Sequence, residues 1–425
     1  MSATLKSLNV EVVALMKRLS YLLIILAVIG IIAGAAFFLR YRSEPAPQQP
    51  EAQPAGGTLP VAPSPSFKNA SATTQSTPSE TPAEPIALGS GLRILSQRPV
   101  HAFTVRADGT LLLAGPDGTI FELRGTTANT LSPTAIANLQ TVSFSFNASK
   151  ILAVFGDRST PEVALFDVKS KTWQPFLAPA TSAAWSPNDL RVAYLSQKSG
   201  AISLNTLNVA DARAKPQELT RVHFADVTLA WNLPDQILLQ ERASGMVAAS
   251  AWNWDVKKKT LVPFAEDQRG FETRWLPNAA SGLAFIAGQR GYGGSLLLIS
   301  PQGDVRETFS FLTLPRKCAF GSVPLPAELR TSSGTPSGTA ITTSLFCAVP
   351  RDRATLESVI LPDAYYKRAV FTIDDFYEIN LVTGAIRTVL ADPQQSLDAT
   401  NVAVSGDTLY FVNRYDQKLY SFQIK

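Results

Sequence analysis

The sequence predicts an all-β protein: a seven-bladed β-propeller of four-stranded blades, its ring closed by an N-terminal strand. Three observations carry that expectation. An aromatic, turn and apolar-strand motif recurs at Phe103, Phe144, Trp185, Trp231, Trp275 and Phe320, with a last copy at Val404, at intervals of 41, 41, 46, 44, 45 and 84 residues. Within each copy apolar residues alternate with period two between Gly, Pro, Asn and Asp turns, as half-buried strands joined by hairpins require. Charged residues are sparse at 17%, while Pro (29) and Gly (25) are frequent, which suits short strands and many turns better than helices.

The clearest copy is "TSAAWSPNDLRVAYLS" (181–196), which places Trp185 before a Ser-Pro-Asn-Asp turn and an apolar strand. A third strand follows in each unit, as in "EVALFDVKSKTW", "SLLLISPQG" and "FYEINLVTG", and then a short outer strand such as "TVL" at 388–390. Four strands in forty to fifty residues is the period of a propeller blade. A sandwich or barrel does not call for an aromatic repeating at this interval. The 84-residue interval reads as one repeat enlarged by insertions.

The chain ends complete each other. The last copy supplies three strands, "VAVS", "TLYFVN" and "LYSFQI", while "LRILS" at 92–96 stands without a partner ahead of the first copy. Placing 92–96 as the outermost strand of the last blade closes the ring and leaves no large open edge.

On these residues the chain resembles the TolB-like, WD-related propeller repeat. "WSPNDLRVAYLSQKSG" (185–200) carries the Ser-Pro-Asp-Gly-like turn, the apolar strand and the Ser-x-Lys-x-Gly-like loop of that family. The resemblance is strong around Trp185 and degenerate elsewhere. It implies a propeller with an extracytoplasmic binding role, and it implies no catalytic residue. The Trp-Asp dipeptide itself occurs only as Trp254-Asp255, on a third strand, where a structural role is expected.

Ahead of the propeller domain (88–425) the chain divides into a short segment (1–18), an apolar span (19–39) and a linker (40–87). Between Arg18 and Arg40 lie 21 residues without a charge. As a helix they would span roughly 31 Å, the thickness of a hydrocarbon core. The apolar region of a cleaved signal peptide is shorter, so a single-pass transmembrane anchor is expected. Lys6, Lys17 and Arg18 before the span against Arg40 and Arg42 after it slightly favour a cytoplasmic N-terminus and an extracytoplasmic propeller. Residues 43–86 carry ten prolines among Ser, Thr, Ala and Gln, too little apolar surface to offset chain entropy, so a disordered tether is expected.

The sixth copy holds the features that the scaffold does not need. Cys318 falls on its inner strand and Cys347 on its second, so the sulfurs could meet across an antiparallel ladder. A disulfide and an oxidising compartment are expected; the alternative is two small buried apolar residues in a reduced protein. Insertions at 321–340 and 351–375 flank Cys347. The second shares a face with the other second-to-third connections and offers Asp363, Tyr365, Tyr366, Lys367, Arg368, Asp374 and Asp375 as candidate binding residues. The same connection in other blades carries Arg158, Lys198, Arg242, Arg290 and Arg414, either a cationic ring or a set of locally paired residues.

Several functions are disfavoured. A net charge of +4 on 425 residues is too weak a footprint for a nucleic-acid partner. Two cysteines and two histidines without a paired ligand motif assign no metal, and no cofactor motif is present. Gly-x-Ser-x-Gly, His-Glu-x-x-His and phosphate-loop motifs are missing, so no catalytic residue is assigned. The expectation is a membrane-anchored, extracytoplasmic scaffold that binds a protein or an envelope polymer, its oligomeric state open. The alternatives are an extracytoplasmic hydrolase or lyase using carboxylates in the funnel, with Asp374-Asp375 as the first candidate pair, and a cytoplasmic-facing scaffold.

Overall fold

The computed structural model describes residues 86–87 and 91–424, apart from 126, 177–179, 199, 225, 276–280 and 325–340. The expected anchor at 19–39 and nearly all of the 40–87 linker lie outside the described residues. Among the described residues no helix is long and apolar enough to cross a membrane.

Seven antiparallel sheets form the ring, six of four strands and one of five. Their inner strands are Ala102–Val105, Thr141–Phe144, Ser182–Trp185, Val227–Leu233, Glu272–Trp275, Cys318–Pro324 and Ala399–Ser405. Each residue of the repeating series stands on one of them. The first blade's inner strand touches those of the second and seventh, and the sixth touches the seventh, as a closed ring demands.

The repeat motif works through inter-blade packing and turn chemistry. Trp185 is buried with Leu152, Val163 and Leu165 of blade 2 and with Val192, Tyr194 and Leu207 of its own blade 3. Its indole N–H donates to the Ser143 carbonyl of blade 2 at 3.2 Å, which gives the polar end of the ring a partner. The Asp189 carboxylate accepts the Arg191 N–H at 3.0 Å, and Ser186 N–H donates to the Arg191 carbonyl at 2.8 Å. These bonds close the hairpin. In blade 1 Gly109 and Gly118 take the φ of 78° and 81° that their turns need. Trp254 packs between blades 3 and 4, and Asp255 caps the next turn by accepting the Lys257 and Lys258 N–H groups at 3.0 and 2.8 Å.

Blade 7 is shared by both ends of the described chain. Arg93–Ile94 pairs with Leu419–Gln423, aligning Ile94 with Tyr420, but Ile86–Ala87 adds a fifth strand outside it, so the segment expected as the outermost strand is the fourth of five. Leu92 is fully buried against Phe411 and Tyr420 in the same core, so the closure is packed as well as hydrogen-bonded.

In blade 6 the inner strand Cys318–Pro324 pairs with Ile341–Pro350 so that Cys318 lies directly opposite Cys347, and the two form a disulfide. Residues 351–373, between the second and third strands, form two helical turns, Ala354–Glu357 and Asp363–Tyr366.

Candidate functional site

Strands alternate in direction, so second-to-third connections share a face with the start of every inner strand. The 351–373 insertion lies on that face and reaches well beyond its own blade. Asp363 accepts the Gly245 N–H at 2.7 Å and the Ser244 hydroxyl at 3.1 Å, both from blade 4. Leu361 N–H donates to the Gly291 carbonyl of blade 5 at 2.9 Å, and Gly293 N–H to the Val359 carbonyl at 3.2 Å. Tyr365, Leu356, Leu361 and Val370 share an apolar core with Phe285, Ala287, Leu312 and Leu314. The backbones touch: a Cβ at Gly245 would collide with the Leu361 carbonyl, and one at Gly291 with the Gly245 carbonyl. The insertion is therefore a cap laid over blades 4 to 7.

Beneath the cap lies a closed set of charges. Lys317, just ahead of the blade 6 inner strand, places Nζ 2.7 Å from Asp374 Oδ2 and 2.7 Å from Asp398 Oδ1. Asp398 Oδ2 pairs with Arg414 at 2.6 Å, and Thr372 donates to Asp398 through its N–H at 3.1 Å. Asp374 also accepts the Ala399 N–H at 2.8 Å. Two cations face two carboxylates, and all four side chains are buried. Burial works against the Lys317 charge, but Asp374 and Asp398 outweigh it and raise the ammonium above its usual range. Burial pushes the Asp374 carboxyl up, with Asp398 adding to the shift and Lys317 opposing it. Arg414 stacks 3.8 Å from the centroid of the Tyr365 ring and donates to the Tyr365 carbonyl at 2.6 Å.

A second group lines the mouth of the central channel. His101 precedes the blade 1 inner strand, Glu272 and Arg274 stand on that of blade 5, and Arg316 precedes that of blade 6. Tyr366 reaches down from the cap, and its hydroxyl donates to Glu272 Oε2. Arg316 lies 5.0 Å from the centroid of the Tyr366 ring. Arg274 reaches from blade 5 to blade 7, donating to the Arg316 carbonyl at 3.2 Å and to the Val402 carbonyl at 2.6 Å. Burial raises the Glu272 carboxyl, with Arg316 opposing. Burial, and then the charge of Arg316, holds His101 down and Arg274 down to about 10.

The candidates read from the sequence therefore separate. Asp363, Tyr365 and Tyr366 hold the cap in place, while Lys367 and Arg368 are exposed on it. Asp374 belongs to the buried charge set, and Asp375 pairs with Arg351 at 2.7 Å. Of the recurring cations, Arg158 and Arg290 are exposed, and Arg242 pairs with Asp226 at 3.1 Å. Arg414 does not point to solvent; it is buried beneath the cap. The side chain of Lys198 lies outside the described residues.

His101, Glu272, Arg274, Arg316, Lys317 and Asp398 had no sequence motif to announce them. A usable signal existed in "ETRW" and "PRKC", where charged residues adjoin or occupy inner strands that otherwise carry apolar or small residues. Among the described residues no group of three or more His, Cys, Asp or Glu side chains is placed to hold a metal ion.

No protein-family model matches the chain, and no curated protein does. Solved structures do. An oligogalacturonate lyase from Vibrio parahaemolyticus is 10% identical over 80% of this chain and 96% of its own, with a TM-score of 0.51. An oligogalacturonate lyase in complex with manganese is 9% identical over 81% of this chain and 95% of its own, at 0.52. TolB from Acinetobacter baumannii is 17% identical over 50% of this chain, at 0.37, too partial a likeness to bear on it. The match spans 54% of that TolB chain and 34% of a tricorn protease. At these identities the lyases share with this chain its fold: an all-β propeller.

Proposed function

We propose that the protein is a membrane-anchored, extracytoplasmic binding scaffold, with the cap face of the propeller as its contact surface for a protein or an envelope polymer. One observation carries the reading. Of the eleven large apolar or aromatic side chains exposed among the described residues, Met246, Val247, Tyr292, Tyr366, Ile373 and Tyr415 stand in the second-to-third connections of four consecutive blades. Tyr292 and Tyr415 are 50% and 45% exposed, and Phe371 stacks on Tyr415 with ring centroids 5.2 Å apart. Exposed aromatics mixed with arginines, here Arg290 and Arg368, are the composition of contact surfaces.

The enzymatic alternative has less support. Its candidate pair is committed elsewhere, Asp374 to Lys317 and Asp375 to Arg351. The manganese named for one lyase finds no matching set of donors among the described residues. The anchor rests on the uncharged span of 19–39, and the oxidising location on the Cys318–Cys347 disulfide.

Intact cells carrying Tyr292→Cys, treated with a membrane-impermeant maleimide, test the location. Labelling before lysis is expected; labelling only after lysis contradicts the extracytoplasmic assignment.

A further inference from the structure

We propose that the capped mouth of the central channel binds a small oxyanion, a carboxylate or a phosphate, between Arg316 and Arg274. The proposal is independent of the outer contact surface. Arg316 is exposed to solvent, yet the Tyr366 ring of the cap lies 5.0 Å from its guanidinium and Arg274 of blade 5 donates to its carbonyl at 3.2 Å. It forms no ion pair among the described residues, and neither does Arg274, which gives two of its five N–H donors to backbone carbonyls.

The contrast with the adjacent residue is informative. Lys317, one position along, is matched by two carboxylates and closed off from water. Arg316 and Arg274 have one carboxylate near them, Glu272, whose Oε2 is occupied by the Tyr366 hydroxyl and whose Oε1 is buried without a partner. Positive charge in this group is therefore left over. Protein walls screen it less than open solvent would. A guanidinium presents paired N–H groups whose spacing fits the oxygens of a carboxylate or phosphate. The cap over this mouth favours a small ion over a polymer chain.

Isothermal titration calorimetry on the detergent-solubilised full-length chain tests this, with inorganic phosphate and succinate as separate probes at constant ionic strength. Saturable heat is expected from at least one probe, and comparing them separates phosphate from carboxylate recognition. Arg316→Met is expected to weaken binding at least about tenfold, while Lys169→Met, on an exposed hairpin of blade 2, leaves it unchanged. Arg316→Lys keeps the charge, loses the fork and is expected to bind about tenfold more weakly; it replaces Arg316→Met if that variant does not fold. Absence of saturable heat from both probes with the folded native chain overturns the proposal. So does equal weakening by Lys169→Met.

Discussion

The guanidinium of Arg414 lies 3.8 Å from the centroid of the Tyr365 ring, so that a blade 7 side chain clamps a residue of the blade 6 cap. The same guanidinium continues into Asp398, Lys317 and Asp374, which ties the cap to the inner strands of two blades. The cap and the ring are thus one cooperative structure at this point.

Removing a member of the buried set should be costly. Lys317→Met leaves Asp374 and Asp398 facing each other without their shared cation, at a cost of roughly 3–5 kcal/mol. Adding Asp374→Asn should restore part of that loss, because it removes one of the stranded charges. Urea unfolding of Lys317→Met, Asp374→Asn and the double variant checks this, and simple additivity of the two single losses would contradict the network.

The cap should be loosened from blade 4 by a backbone clash. Gly245→Val places a side chain where the Leu361 carbonyl now sits. Limited proteolysis is expected to cut within 351–373 in this variant while the rest of the propeller resists. Unchanged protection of 351–373 would mean that the close approach is not needed.

One surface-side carboxylate should report on acid stability. Asp167 is held down to about 2, first by the Lys150 ammonium at 2.6 Å and then by the Ser170 N–H. A depressed folded-state pKa contributes stability above the ordinary value and loses it as pH falls towards the folded one. The stability gap between the native chain and Asp167→Asn, about 2 kcal/mol at most near neutrality, should therefore narrow between about pH 4 and pH 2. Thermal melts across that range check it; a gap independent of pH would contradict the pairing.

The disulfide spans a sequence separation of 29 residues. The loop-entropy relation gives a stabilisation of about 3–4 kcal/mol for a closure of that length. Cys318→Ala with Cys347→Ala should lower the urea midpoint accordingly, and the native chain should show no free thiol before reduction. A native chain that titrates two thiols before reduction would contradict it.

The ring was legible because each blade repeats one local code. Trp185, its Ser-Pro-Asn-Asp turn and the period-two strands after it are determined within a few residues, and "LRILS" could be placed by elimination. Strand order alone put Cys318 within reach of Cys347, and the structure joins them. The site was less legible because its residues meet through closure of the ring. Arg274 reaches Val402 across 128 positions and Ser244 reaches Asp363 across 119. Arg414 looked like one more rim cation, since nothing local to it reveals that the 351–373 insertion folds over it.

The contact surface is tested most directly by placing a photo-crosslinking phenylalanine at Tyr292 and Tyr415 in living cells, with Phe146, 52% exposed on the opposite face, as the reference. The account predicts that 292 and 415 capture the same partner, identified by mass spectrometry, and that 146 does not. Capture at 146 alone, or none at 292 and 415, would contradict it.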